Sequence, residues 1–119
     1  MNISVSGRTR KPLEIHPDPA TVSVGENVAW ELYYDARDGQ PADPLLWTVY
    51  FNTGSPFGEW ENRTVETKPG ANPEYKGRIE GGPASSAGDY KYGVRLQNGR
   101  TKELLCDDDP RLIVRPRSR

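Results

Sequence analysis

Between residues 86 and 96 the chain alternates with a period of two. Tyr90, Tyr92, Val94 and Leu96 fall on one side, and Asp89, Lys91, Gly93 and Arg95 on the other. An α-helix repeats every 3.6 residues, so this pattern predicts a strand with one face in a core and one in water. Asn98-Gly99 follows, two residues that tolerate the positive φ a type I′ hairpin turn requires. Residues 101–106 then supply a return strand, and the pair commits this part of the chain to an antiparallel sheet.

The remaining chain is punctuated in the same way. Twelve glycines and eleven prolines interrupt its 119 residues, spacing that suits many short strands and few helices. The longest run free of both begins at Glu26 and stops at Gly39, and it alternates. Short strands are predicted at 2–6, 13–16, 20–24, 28–33, 45–51, 60–67, 75–79 and 112–114. Pro17-Asp18-Pro19 must break any ladder, because proline donates no backbone hydrogen bond, so the strand at 13–16 lies at an edge or the chain changes sheets there. Trp30 is placed nearest the centre of the core. Strands at this spacing predict one all-β domain over 1–119, a single antiparallel β-sandwich of about seven to nine strands, with a short basic tail at 115–119.

Composition excludes several classes. Only 34% of residues are hydrophobic, but 16 basic and 17 acidic residues leave a net charge of −1. Disordered chains combine low hydrophobicity with high net charge, and three Trp and six Tyr supply a core, so a folded domain with a thin core is expected. Balanced charge argues against nucleic acid as a partner. No apolar run is long enough to span a membrane, and no apolar leader follows Met1, which together with the lone Cys106 predicts a reducing, cytoplasmic setting.

Three stretches together resemble the cupredoxin-like sandwich, residues 19–30 (PATVSVGENVAW), 87–92 (AGDYKY) and 112–114 (LIV), and the first two are singly similar to immunoglobulin-like domains as well. The resemblance implies a blue copper site, which takes two imidazoles and a thiolate with a weak axial thioether. It implies a first His at 34–44, a Cys at the end of the strand carrying Tyr90, and a His and a Met within 97–103. The sequence has no His at 34–44, has Val94 and Leu96 where the Cys should stand, and has neither His nor Met at 97–103. His16, Cys106 and Met1 are each the sole residue of their type, so no copper and no other cofactor is expected.

Other chemistry is thinly represented. A Cys106–His16 dyad has no supporting motif, and no nucleophile elbow or phosphate loop is present. Asp107-Asp108-Asp109, with Asp35, Asp38 and Asp43, has the oxygen ligands calcium takes, though acidic residues before a proline also make plain turns. The function read from the sequence is therefore a non-catalytic interaction or structural module whose partner is another protein. Lys91 and Arg95, with Arg63 if its strand is adjacent, would form one basic sheet face. Trp47 and Trp60, with Tyr33, Tyr34 and Tyr50, would form an aromatic surface, and the alternative function is carbohydrate binding or adhesion through those rings. An exposed edge strand would permit self-association.

Overall fold

A computed structural model describes residues 1–8, 11–36, 43–70 and 74–117. These contain eleven strands and no helix: β1 (Asn2–Arg8), β2 (Glu14–His16), β3 (Ala20–Ser23), β4 (Asn27–Asp35), β5 (Leu45–Tyr50), β6 (Arg63–Thr67), β7 (Glu74–Pro83), β8 (Gly88–Lys91), β9 (Gly93–Asn98), β10 (Leu104–Asp108) and β11 (Arg111–Arg115). They form three sheets ordered β2-β1-β4-β7, β10-β9-β5-β6 and β3-β11-β8. Alternate residues of all three turn inward onto one shared core, in which Ile3, Val5, Trp30, Leu45, Trp47, Val49, Tyr75, Val94, Leu96 and Leu112 are fully buried. The all-β sandwich expected from the strand pattern is the fold observed.

Two features differ from the expectation. The sandwich is mixed, because β1 runs parallel to β4 and β3 runs parallel to β11. The cause lies at Pro17 and Pro19. β2, before these prolines, pairs antiparallel with β1, whereas β3, after them, pairs parallel with β11. β4 then runs parallel to β1. The chain thus changes sheets at this proline pair and β2 is an edge strand, so both outcomes the sequence allowed occur together.

The second difference divides one expected strand, so the ten segments read from the sequence become eleven strands. The strand expected across Tyr90 to Leu96 is divided at Tyr92 into β8, which pairs with β11, and β9, which pairs with β5 and β10. The alternation nevertheless continues through the break. Tyr92, Val94 and Leu96 are buried, Tyr90 is half-buried against the core, and Asp89 and Lys91 are exposed.

Aromatic rings fill the middle of the sandwich. Tyr92 lies 5.5 Å from Trp30 and 5.5 Å from Phe51, and its hydroxyl accepts a 3.2 Å hydrogen bond from the Trp30 indole. Phe57 and Trp60, from the 51–62 connection, each lie edge-on to Trp30 at 6.1 Å. Trp30 is central, as expected. Edge-to-face contacts of this kind add about 0.5–1.5 kcal/mol per pair beyond simple burial.

Candidate partner-binding surface

The end of the sandwich where Asp43 and Pro44 meet the loop after β9 is held by polar contacts. Asn98-Gly99 does not form the expected two-residue turn. Residues 99–102 make a four-residue loop, closed by Asn98 N–H donating to the Glu103 carbonyl at 2.9 Å and by Lys102 N–H donating to the Asn98 carbonyl at 2.9 Å. The positive φ falls on Lys102, at 65°. Gly99 is needed for a different reason: a Cβ there would stand 2.8 Å from the Pro44 carbonyl oxygen, which the Gly99 N–H contacts at 2.7 Å. The Asn98 side chain accepts from Arg100 N–H and Thr101 N–H and donates to Asp43. Arg100 grips Asp43 with two guanidinium nitrogens, at 3.0 and 3.3 Å. These bonds from Arg100 and Asn98 hold the Asp43 carboxyl below its usual pKa.

This is where the resemblance to copper proteins implies a metal, and the residues do not fit one. The described residues that converge here carry a guanidinium, an amide and a carboxylate, and Val94 and Leu96 are fully buried aliphatic side chains. His16 is exposed on β2, and Cys106 on β10 donates to the Lys11 carbonyl at 3.4 Å. Among the described residues no three His, Cys, Asp or Glu side chains are grouped to hold a metal ion. The acidic triplet does not converge either, because successive strand residues point to opposite faces. Asp107 accepts from the Tyr50 hydroxyl, whereas Asp108 accepts from Leu13 N–H. Asp38 lies outside the described residues.

Lys91, Arg95 and Arg63 do not share a face. Lys91 is exposed on β8 in the three-stranded sheet, while Arg95 is on β9 in a different sheet. Arg95 sits 4.7 Å above the Tyr50 ring and 3.9 Å from Asp107. Arg63 is two strands from β9, donates to the Glu80 carbonyl and covers the Trp60 ring at 4.6 Å. The aromatic surface is also dispersed. Trp47 is fully buried with its indole N–H on Thr67 Oγ1 at 2.9 Å, and Tyr34 is buried against Tyr75. Trp60 is half-buried with its N–H on the Val49 carbonyl. Tyr50 is buried on Gly93 with its hydroxyl 2.5 Å from Asp107. Burial and that carboxylate push its pKa up to about 12.

The exposed apolar surface lies elsewhere, on β10. Leu104 is 55% and Leu105 38% exposed, and among the described residues the only other large exposed hydrophobic side chain is Met1. A bulge causes this. Leu104 pairs with Gln97 and Cys106 with Leu96, so Leu105 is the extra residue. Two residues therefore oppose one, and strict alternation is lost at this point. Strict alternation buries one of two adjacent leucines, so the sequence pattern alone does not mark this pair as exposed. β10 is also an edge strand. Lys11 and Leu13 contact its second half, at Cys106 and Asp108.

No family model matches this chain, and no curated protein matches it. Among solved structures it is similar to a candidate glycoside hydrolase from Bacteroides vulgatus ATCC 8482, with 20% identity and a TM-score of 0.40. The match covers 84% of this chain but only 17% of that one. A likeness at this TM-score carries no information about function. No helix among the described residues is long and apolar enough to cross a membrane.

Proposed function

We propose that this chain is a non-catalytic interaction module, a cupredoxin-like sandwich without the copper chemistry, that binds a partner protein through the exposed start of β10. The cupredoxin-like reading is supported by the three stretches that carry the resemblance. β11 pairs on one side with β3 and on the other with β8, so pieces far apart in sequence are neighbours in one sheet. It is also supported by the contacts of Asp43, just before β5, with Asn98 and Arg100 at the end of β9.

Leu104 and Leu105 carry the binding reading. An edge strand offers unpaired backbone N–H and C=O groups, and natural edges are usually protected by charge, proline or cover. Here the second half of β10 is covered by Lys11 and Leu13, while the first half presents two adjacent leucines. Their exposed fractions together equal about one whole leucine side chain. Burying that much apolar surface contributes about 1.5–3 kcal/mol, or roughly tenfold to a hundredfold in affinity.

The test compares proteins that co-purify with the chain and their affinities for wild type and for Leu104→Ser/Leu105→Ser. The double variant is expected to bind the partner roughly tenfold to a hundredfold more weakly with its melting temperature nearly unchanged. Unchanged affinity in the double variant, or a wild-type chain that runs alone by native mass measurement in its own lysate, contradicts the reading.

A further inference from the structure

A groove of ≈ 220 Å³ crosses the outer face of the β2-β1-β4 part of the first sheet, lined by Ser6, Arg8, Pro12, Glu14, Tyr33 and Asp35, with Gly7 in its floor. Strand pairing dictates this composition. Ser6 is in register with Glu14 on one side and Tyr33 on the other, and Arg8 is in register with Asp35. Directly opposed residues on neighbouring strands stand about 4.5–5.5 Å apart at Cβ. Glu14 and Tyr33 therefore flank Ser6 across roughly 10 Å, a width that suits one six-membered ring. Tyr33 is half-buried and its hydroxyl donates to Glu74 at 3.0 Å, which fixes the ring from the far side. The groove is smaller than the 300–1,000 Å³ typical of sites for drug-sized ligands, so it suits a single small ligand.

The mixture of groups selects the ligand class. Two carboxylates, Glu14 and Asp35, oppose a phosphate or other anion. Arg8 opposes a simple cation. A neutral ligand with several hydroxyls satisfies both, because a hydroxyl donates to carboxylates and accepts from a guanidinium. A tyrosine ring beside these groups gives an apolar wall for a C–H face. We propose that this groove binds a single neutral sugar ring, through Tyr33 and Glu14 with Arg8 and Asp35 at one end. The groove takes no residue from β10 and Leu104 and Leu105 do not line it, so its test is independent of the partner-binding reading.

The experiment titrates the full chain with methyl glycosides of glucose, galactose, mannose and N-acetylglucosamine, following amide chemical shifts. At least one probe is expected to shift the amides of Ser6, Arg8, Glu14 and Tyr33 saturably, with a dissociation constant on the order of 1 mM. Tyr33→Ala and Glu14→Gln should each weaken binding roughly tenfold. Glu14→Gln conserves shape at an exposed position of β2, so it keeps the test valid if Tyr33→Ala unfolds. Inorganic phosphate and butylamine serve as charged controls. The proposal is overturned if no glycoside shifts these amides, if Glu14→Gln binds as well as wild type, or if either control binds here as tightly as the best sugar.

Discussion

Tyr92 joins two sheets and fills the centre of the aromatic cluster, so its replacement tests the packing account most severely. The side chain is 3% exposed, its hydroxyl accepts from the Trp30 indole, and its ring lies against Trp30 and Phe51. Tyr92→Ala removes the whole ring from a close-packed site, which costs about 3–5 kcal/mol. It also leaves the fully buried Trp30 N–H without its acceptor, a further cost of about 1–3 kcal/mol. Against a total stability of about 5–15 kcal/mol, the variant should be marginal or unfolded at room temperature. Tyr92→Phe separates the two contributions, because it keeps the ring and removes only the acceptor, and should cost about 1–3 kcal/mol. Lys91→Ala, one residue away and exposed, should cost less than about 0.5 kcal/mol. Urea unfolding followed by tryptophan fluorescence and circular dichroism measures all three. A neutral Tyr92→Phe would refute the buried hydrogen bond, and equal costs for Tyr92→Ala and Lys91→Ala would refute the register.

Gly93→Ala should also destabilise, since its Cβ would stand 2.0 Å from Tyr50 Cζ. Tyr50 must then leave Asp107 and Arg95, and losing a hydrogen bond to a charged group costs about 1.5–3 kcal/mol, visible as a lower urea midpoint. Alkaline pH should weaken the fold through the same tyrosine. Its folded pKa, about 12, lies above the unfolded value near 10, so the unfolded state loses the proton first. The stabilisation is complete below about pH 10 and disappears as pH rises from 10 to about 12. Tyr50→Phe should therefore lose less stability than wild type across that interval, as urea midpoints at a series of pH values will show.

Much of the fold was legible because burial on one face imposes a period of two that a sequence displays directly. The inward positions Val28, Trp30 and Leu32, and Tyr92, Val94 and Leu96, are buried as the alternation implied. The proline pair likewise announced an interruption of the ladder. Alternation within one strand says nothing about which neighbour it pairs with, and so the break at Tyr92 and the two parallel pairings were not visible. The surface was harder still. Trp47 lies on the inward face of a central strand that carries aromatics on both faces, and sequence alone does not rank those faces. Arg95 and Arg63 bear the charge expected of a binding surface, but each is held over an aromatic ring. Leu104 and Leu105 depend on a bulge, a local change in pairing that no residue type at these positions requires.

Amide hydrogen exchange on the chain alone and on its co-purified complex tests the partner-binding claim most directly. The edge position of β10 predicts that residues 103–105 exchange readily in the free chain and become protected when the partner is bound, with little change along β8 and around Lys91. Protection centred on β8 or on the aromatic 51–62 connection, with 103–105 unchanged, would contradict it.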